Sequence, residues 1–401
     1  MIRNLFAKLQ QHIKKKEFSI ITGARQMGKS TLMRQLDEYC QKMNTPTVFL
    51  NLENRAVLND LNQSPLNLLS YLPETENRIV VFVDEVQYLS DPSNFLKLLY
   101  DEYAHKIKIV ATGSSAFYLD KSFNDSLAGR KRIFWLLPCA FDEYLALRKK
   151  ENLLKEVIEI RKNKHYKTLE IELLRQEWEA FMLFGGYPAV ITETVREEKI
   201  ARLAEIRDSF LKRDILEAGV QNEAAFYSLF RLLASQSGNL LNTNELSATL
   251  RIKNETVSHY LEILQKCFHI TLVKPFFQNL RKELTKMPKG YLHDNGMRNS
   301  LLNNFQPVSE RIDKGMIWEN TVFEHLCQKY NTDEIHFWRT SDDNEVDFVL
   351  PNIETPQAIE CKYDATRISL SKYKKFIENY PNIPLSFSSF LPFDNDFFRK
   401  L

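Results

Sequence analysis

The chain has 401 residues, enough for roughly two to four domains of ordinary size, each with its own hydrophobic core. Hydrophobic residues make up 44% of the chain and charged residues 26%, which are the proportions of folded globular proteins and exclude a disordered chain. The 54 basic and 52 acidic side chains nearly balance, so a nucleic-acid surface would have to arise from local clustering of charge.

The first segment, residues 1–16, carries apolar side chains at helical spacing and ends in a basic run. This pattern predicts an amphipathic helix that either packs on the following domain or lies on a membrane surface. No apolar run reaches the roughly 18 residues that a membrane span requires. The five cysteines lack metal-ligand spacing and predict neither disulfides nor a zinc site, so we expect a cytoplasmic protein.

Four segments follow one another along the chain. In residues 1–137, short apolar runs alternate with helical stretches, which is typical of a parallel sheet covered on both faces. Residues 138–215 predict a helical lid or connector, and residues 216–305 predict a winged helix. Residues 306–401 alternate helix and strand and predict an α/β domain of their own.

The sequence GARQMGKS at residues 23–30 fits the phosphate-binding pattern GxxxxGK[ST], and it lies between a β run and a helix. The glycines allow successive backbone N–H groups to point at phosphate oxygens, and the helix N-terminus adds its dipole. Lys29 would reach the β- and γ-phosphates, and the Ser30 hydroxyl would ligate Mg²⁺. ATP and Mg²⁺ are therefore the expected ligands. The residues predicted to bind the nucleotide are Gly23, Ala24, Arg25, Gln26, Met27, Gly28, Lys29, Ser30 and Thr31.

A second half of this site is expected where an apolar strand ends in carboxylates, and the run RIVVFVDEV supplies Asp84 and Glu85. Asp84 would hold Mg²⁺, mostly through water. Glu85 is placed to orient or deprotonate the attacking water. The alternative is that Glu85 is a solvated turn residue.

Two further groups are candidates for contact with the γ-phosphate. The apolar strand KIKIVATGSS ends in Thr112, Gly113, Ser114 and Ser115. One of these residues could sense the phosphate, or they could simply form a turn. Arg130 could place its guanidinium on the transferring phosphate, in the same chain or in a neighbour. An ordinary surface arginine is the alternative.

The segment NTNELSATLRIKNETVSHYLEILQK predicts a helix-turn-helix followed by two strands. In such a module, DNA bases meet the start of the second helix and phosphates meet the hairpin, so DNA is a candidate partner. A module for protein contact or dimerisation remains the alternative. The predicted DNA contacts are Asn254, Thr256, Ser258, His259, Arg281 and Lys282.

In the last segment, Asp347 in the strand NEVDFVL is followed by Glu360 and Lys362 in QAIECKY, and Glu319 lies on a preceding helix. Residues two apart on a strand share a face, so Glu360 and Lys362 are expected to project together beside Asp347. Two carboxylates could hold Mg²⁺ while the lysine activates water for attack on a phosphodiester. These residues resemble the four motif positions of PD-(D/E)xK nucleases, although Val346 replaces the usual proline before Asp347. A structural cluster of ion pairs is the alternative.

The whole pattern resembles the bacterial and archaeal AAA-type ATPases whose C-terminal half is the domain of unknown function DUF4143. The resemblance is carried by the order of the C-terminal segments and by GARQMGKSTL, FLNLENRA, VFVDEVQYL, ATGSSAFYL, SLAGRKRIFWLLPCAFDEYL, FGGYPAVI and LKRDI. It implies an α/β, AAA-like P-loop fold with a helical lid, then a winged helix and a restriction-endonuclease-like domain. It also implies a sensor at Ser114 or Ser115 and a phosphate-proximal role for Arg130. The motif Gly185–Pro188 is expected to form a structural turn.

Three functions remain open from the sequence. The first is an ATPase whose nucleotide state controls C-terminal modules that contact DNA or protein. The second is an ATP-regulated, Mg²⁺-dependent DNA nuclease in defence or DNA processing. The third is a nucleotide-gated scaffold or signalling protein without enzymatic output.

Overall fold

The computed structural model describes residues 3–113, 127–277, 286–342 and 344–400. The chain divides into two compact units. The N-terminal unit comprises Met1–Leu137 with Lys266–Phe268, and the C-terminal unit comprises Pro138–Gln265 with His269–Leu401.

The N-terminal unit is built on a parallel sheet. Its strands are β1 (Phe18–Thr22), β2 (Thr47–Asn51), β3 (Ile79–Asp84), β4 (Ile107–Gly113) and β5 (Lys131–Trp135). Its helices are α1 (Leu5–Ile13), α2 (Lys29–Lys42), α3 (Arg55–Gln63) and α4 (Pro92–Tyr103), with 3-10 turns at Pro65–Tyr71 and Val86–Tyr88. In the described residues the strand order is β2-β3-β4-β1-β5 and every pair is parallel, which confirms the predicted fold class.

Burial explains why these short apolar runs form central strands. Every residue of β1, β3 and β4 is buried, as expected of strands that are covered on both faces. The register places Thr22 beside Gly113 and Asn51 beside Asp84. The carboxyl ends of these strands therefore meet at one edge of the sheet, which is where parallel sheets place their ligands.

Helix α1 packs on the N-terminal unit. Leu9 is fully buried, and the Arg3 guanidinium donates to the carbonyl oxygens of Met27 at 2.9 Å and Leu137 at 2.6 Å. Of the two predicted roles for this helix, the structure shows the packing role. No helix among the described residues is long and apolar enough to cross a membrane.

The C-terminal unit begins with helices, and its strands lie in its second half among further helices. Its helices are α5 (Phe141–Leu147), α6 (Glu151–Lys162), α7 (Ile171–Phe184), α8 (Pro188–Thr192), α9 (Arg196–Glu217), α10 (Glu223–Ser235), α11 (Thr243–Leu250), α12 (Asn254–Lys266), α13 (Asn295–Leu302), α14 (Lys314–Lys329), α15 (Lys374–Asn379) and α16 (Asn395–Lys400). Its strands are β6 (Ile270–Pro275), β7 (Lys289–Leu292), β8 (His336–Arg339), β9 (Glu345–Leu350), β10 (Gln357–Asp364) and β11 (Leu385–Leu391).

One sheet runs through the last two predicted segments. Its order in the described residues is β11-β10-β9-β8-β6-β7. The antiparallel pair β6–β7 is the hairpin predicted as a wing, and β6 continues into the sheet by pairing with β8 at Lys274–His336 and Pro275–Phe337. The sheet thus crosses the predicted boundary at residue 305. Local sequence patterns do not reveal this pairing, because its two strands lie far apart in the chain.

The glycine motif after α7 forms a tight turn against the start of α13. The Gly186 N–H donates to Asp294 Oδ2 at 2.6 Å, and Asp294 Oδ1 accepts from the Met297 N–H at 2.7 Å, which caps α13. A Cβ on Gly186 would lie 2.6 Å from the Cys139 carbonyl oxygen, so a side chain does not fit. Burial raises the pKa of Asp294 to about 7 despite these bonds.

Candidate functional site

The P-loop lies at the carboxyl edge of the N-terminal sheet and runs from β1 into α2. Gly28 caps α2 in the left-handed region with φ 84°. A Cβ on Gly23 would lie 2.3 Å from the Leu136 carbonyl oxygen. These two positions therefore require glycine for different reasons, a positive φ and a close approach of backbone.

Lys29, at the first position of α2, is buried and folds back onto the loop that precedes it. Its Nζ donates to the carbonyl oxygens of Gly23 at 2.9 Å and Ala24 at 3.0 Å. The ammonium thus lies within the loop whose N–H groups would face phosphate, and the positive end of the α2 dipole adds to its field.

Asp84 ends β3 and lies level with the P-loop strand, from which β4 separates it. Because neighbouring strands are roughly 4.8 Å apart, Asp84 stands about 10 Å from β1, which leaves room for phosphate, cation and water between them. Its carboxylate is buried, and its Oδ1 accepts a hydrogen bond from Thr112 Oγ1 at the end of β4.

Thr112 also fixes the backbone of Glu85. The Glu85 N–H donates to Thr112 Oγ1 at 3.1 Å, so one hydroxyl holds both acidic residues. Glu85 has φ 59°, a conformation that costs free energy for a residue with a side chain and that often occurs at functional sites. Its Oε2 accepts a hydrogen bond from Gln87 Nε2. Sequence reasoning placed Thr112 at the strand end but did not assign it this bracing role, which depends on the register of β3 and β4.

The groups available for Mg²⁺ at this site are the Ser30 hydroxyl and the Asp84 carboxylate. Both are hard oxygen donors of the kind that Mg²⁺ prefers, so the residues fit the ion. Among the described residues no cluster of three or more acidic, histidine or cysteine side chains could hold a metal.

Arg130 lies away from the P-loop. The Phe18 N–H donates to the Arg130 carbonyl at 2.9 Å at the start of β1, so Arg130 stands at the amino edge of the parallel sheet. Five strand residues separate that edge from Gly23, a distance of roughly 15 Å. Its guanidinium binds Asp101 instead, with Nε 2.6 Å from Oδ1. This position excludes a contact between Arg130 and phosphate in the same chain, which corrects that part of the prediction. A contact of Arg130 with phosphate in a neighbouring chain stays a prediction. Ser114 and Ser115 lie outside the described residues.

The predicted helix-turn-helix corresponds to α11 and α12, which are joined by a turn in which Arg251 has φ 55°. Asn254, Ser258 and His259 are exposed and Thr256 is half-buried, and their contact with DNA stays a prediction. Arg281 and Lys282 lie outside the described residues.

The charge on the exposed face of α11 and α12 is mixed. Its exposed charged side chains and those of the turn are Arg251, Lys253, Glu245, Glu255 and Glu262. The described part of this face is therefore not the continuous basic surface that phosphate binding favours.

The four predicted nuclease-like residues converge in the C-terminal unit. Lys362 Nζ contacts Glu360 Oε1, which also accepts from Tyr373 OH at 2.8 Å. Asp347 Oδ2 accepts from the Cys361 N–H at 2.8 Å. Lys289 links Glu319, on α14, to Asp347. The sequence pattern did not single out Lys289.

Lys289 begins β7, and only 2% of it is exposed. Its Nζ lies 3.3 Å from Glu319 Oε1 and 3.5 Å from Asp347 Oδ1, and it also contacts Glu345 Oε1. The second of the two strands predicted after the helix-turn-helix is β7, which Lys289 begins. No local pattern indicated that the Lys289 ammonium would lie in an acidic cluster.

Burial and like charges shift the pKa values of this cluster. Burial, followed by the charge of Asp347, raises the pKa of Glu319 to about 7 and that of Glu360 to about 7. The three surrounding carboxylates raise the pKa of Lys289 above its ordinary value, although burial acts in the opposite direction. Lys289 is therefore charged throughout the physiological range.

Three family matches cover most of the chain. Residues 15–145 match a family described as an AAA domain, residues 175–308 match a domain of unknown function (DUF8612), and residues 314–389 match a domain of unknown function (DUF4143). The AAA-type domain followed by DUF4143 confirms the architecture that the sequence resembles.

Relatives that match most of this chain are described as uncharacterized proteins. An uncharacterized protein of Mycobacterium tuberculosis is 26% identical over 367 residues, covering 91% of this chain and 74% of the relative. One of Haemophilus influenzae is 26% identical over 361 residues, covering 85% of this chain and 82% of the relative.

Solved structures with similarity to this chain include an ORC1 protein and a DnaA protein. The Aeropyrum pernix ORC1 protein in complex with DNA is 12% identical, with 76% of this chain and 93% of that chain covered and a TM-score of 0.33. AMPPCP-bound DnaA from Aquifex aeolicus is 14% identical, with 65% and 86% covered and a TM-score of 0.30. Similarity at this level supports no argument about function.

Proposed function

We propose that this protein binds ATP with Mg²⁺ and hydrolyses it, and that its nucleotide state controls C-terminal modules that contact DNA or a protein. The observation that carries the proposal is that the P-loop lies at the same sheet edge as the buried Asp84 and the strained Glu85. Thr112 joins these two acidic residues. This arrangement supplies groups to bind phosphate and a carboxylate to act on water.

Each group has a separate task in the proposed reaction. Loop N–H groups and the α2 terminus bind the phosphates, and Lys29 neutralises charge on the β- and γ-phosphates. Ser30 and Asp84 hold Mg²⁺, which when bound stabilises the negative charge of the phosphates. Glu85 orients the attacking water and accepts its proton. Thr112 keeps both acidic residues in position.

Nucleotide binding is tested directly with a fluorescent ATP analogue and Mg²⁺. We expect saturable binding by the wild type and a loss of at least about tenfold in affinity for Lys29→Ala, because the ammonium is a direct phosphate ligand. Lys97→Ala, at a charged position on α4, serves as the matched control and should bind like the wild type. Equal affinity of Lys29→Ala and wild type would contradict the P-loop assignment.

The output of the switch is tested by DNA binding in two nucleotide states. Anisotropy of labelled duplex DNA is measured at about 50 mM salt, where phosphate contacts are strong, with ATP bound to Glu85→Gln and with ADP bound to the wild type. A difference in affinity that is reduced by His259→Ala would support a DNA-contacting output. Absence of affinity in both states would favour the protein-contacting alternative, which the mixed charge of α11 and α12 already supports.

A further inference from the structure

The nuclease-like resemblance implies a divalent cation between Asp347 and Glu360, so the donor set can be compared with the needs of such an ion. Asp347 Oδ1 lies 3.5 Å from Lys289 Nζ, and Asp347 Oδ2 accepts the Cys361 N–H. Glu360 Oε1 is held by Lys362 and Tyr373. Glu360 Oε2 is buried and has no hydrogen-bond partner among the described residues, and it is the one oxygen of this pair left for a cation. This leaves fewer protein oxygens for the ion than the two carboxylates of the nuclease-like pattern would supply.

A lysine ammonium stands among the carboxylates instead. Lys289 contacts Glu319 from α14, and Glu345 and Asp347 from β9. Each of these carboxylates has a further partner: Tyr291 OH donates to Glu319 at 2.6 Å, Arg339 binds Glu345 at 2.8 Å, and the Cys361 N–H donates to Asp347.

The cluster contains cations of its own. Its four carboxylates, Glu319, Glu345, Asp347 and Glu360, are met by the side chains of Lys289, Arg339 and Lys362. A divalent cation between Asp347 and Glu360 would lie beside the ammonium groups of Lys289 and Lys362, whose positive charges repel it.

We infer that Lys289 takes the place of the divalent cation in the nuclease-like domain, so this site binds no Mg²⁺, cleaves no phosphodiester, and instead joins β7 to α14 and β9. The ammonium supplies the positive charge that holds three carboxylates together. The predicted alternative of a structural ion-pair cluster is thus the one that the geometry favours.

The first test measures binding of Mn²⁺, a paramagnetic substitute for Mg²⁺, to nucleotide-free full-length protein by electron paramagnetic resonance. We expect wild type and Asp347→Asn to bind the same amount of Mn²⁺, because any ion near the P-loop is common to both. Binding by the wild type that is lost in Asp347→Asn would overturn the inference. So would Mn²⁺-dependent DNA cleavage that is lost in the same variant.

The second test asks whether a cation can replace the ammonium. In EDTA, Lys289→Ala should lower the Tm by roughly 5–15 °C, because three carboxylates lose their shared partner. Mn²⁺ should restore part of this loss in Lys289→Ala and leave the wild-type Tm unchanged. Lys362→Ala is the matched control: its ammonium is partly exposed and, within the described part of the chain, is paired with the single carboxylate of Glu360, so we expect a smaller loss without rescue. If Lys289→Ala folds and Mn²⁺ does not raise its Tm, the inference that the Lys289 ammonium takes the place of a divalent cation would be contradicted.

Discussion

At the residue scale, one hydroxyl organises the candidate catalytic edge. Thr112 Oγ1 donates to Asp84 Oδ1 and accepts from the Glu85 N–H, and Thr112 is fully buried. In the proposed reaction Thr112 therefore acts through the two acidic residues and not by touching nucleotide. Its contribution should appear in turnover more than in affinity.

Thr112→Val should lower the rate of ATP hydrolysis by about tenfold or more while leaving ATP affinity within about threefold, because the valine keeps the shape but frees Asp84 and the strained Glu85. Steady-state turnover and nucleotide titration measure the two effects. Thr112→Ser, which keeps the hydroxyl, is the control and should retain most activity. Equal turnover of Thr112→Val and wild type would show that the brace is dispensable.

Lys108 provides a second prediction at this scale, at the amino end of the same sheet. It is fully buried on β4, with Nζ 3.2 Å from His12 Nδ1 and bonded to the Glu17 carbonyl oxygen. Burial, followed by the charge of Arg78, lowers the pKa of Lys108 from 10.5 to about 7. The folded state therefore binds fewer protons at this lysine than the unfolded state between about pH 7 and pH 10.5.

In that pH window unfolding takes up a proton at Lys108, because the unfolded lysine is protonated and the folded one is not. The contribution of Lys108 to the free energy of unfolding therefore rises with pH. Below about pH 7 the cost of the buried charge is fully present. We expect the difference in unfolding free energy between wild type and Lys108→Met to shift in favour of the wild type from pH 7 to pH 9. Urea denaturation at both pH values measures it. A constant difference would mean that Lys108 has an ordinary pKa in the folded protein.

At the element scale, the turn between α7 and α8 is set by backbone packing. Gly186 donates its N–H to Asp294, and its Cα faces the Cys139 backbone. The FGGYPAVI motif is thus explained by close approach of three chain segments, in agreement with the expected structural turn.

Gly186→Ala should destabilise the protein by about 2 kcal/mol or more, since the added Cβ would lie 2.6 Å from the Cys139 carbonyl oxygen and 2.8 Å from its nitrogen. Gly315→Ala is the matched control. It lies in the first turn of α14 with no atom near the added Cβ, so it should be neutral or stabilising by about 0.5–1 kcal/mol. Chemical denaturation compares the two, and a Gly186→Ala protein as stable as wild type would contradict the packing argument.

Elements also show how far the sequence could predict this molecule. The parallel sheet, the P-loop and the Asp84–Glu85 strand end follow from local runs of apolar residues and from fixed motif spacing, and these were predicted. The pairing of β6 with β8 and the entry of Lys289 into the acidic cluster depend on contacts between distant segments. The position of Arg130 at the amino edge follows from strand direction, which a motif alone does not specify.

At the scale of the whole molecule, the two compact units have separate cores, and the nucleotide site is built from residues of the N-terminal unit. A ligand that binds only the folded form of one unit stabilises that unit by mass action. The nucleotide should therefore raise the unfolding temperature of the N-terminal unit and leave that of the C-terminal unit unchanged.

In differential scanning calorimetry we expect two transitions, with Mg²⁺ and a non-hydrolysable ATP analogue raising the temperature of one. Asp347→Ala should lower the temperature of the other transition, which identifies it as that of the C-terminal unit. The same addition to Lys29→Ala should produce no shift. A single transition that moves as a whole would show that the units unfold together.

The most direct test of the central claim is Mg²⁺-dependent ATP hydrolysis by wild type, Lys29→Ala and Glu85→Gln, each with and without DNA. We predict turnover by the wild type, loss of binding and turnover in Lys29→Ala, and retained binding with turnover reduced roughly 100-fold in Glu85→Gln, because a general base contributes at least that factor. ATP binding without hydrolysis by the wild type, or unchanged turnover in Glu85→Gln, would contradict an ATPase that uses this carboxylate.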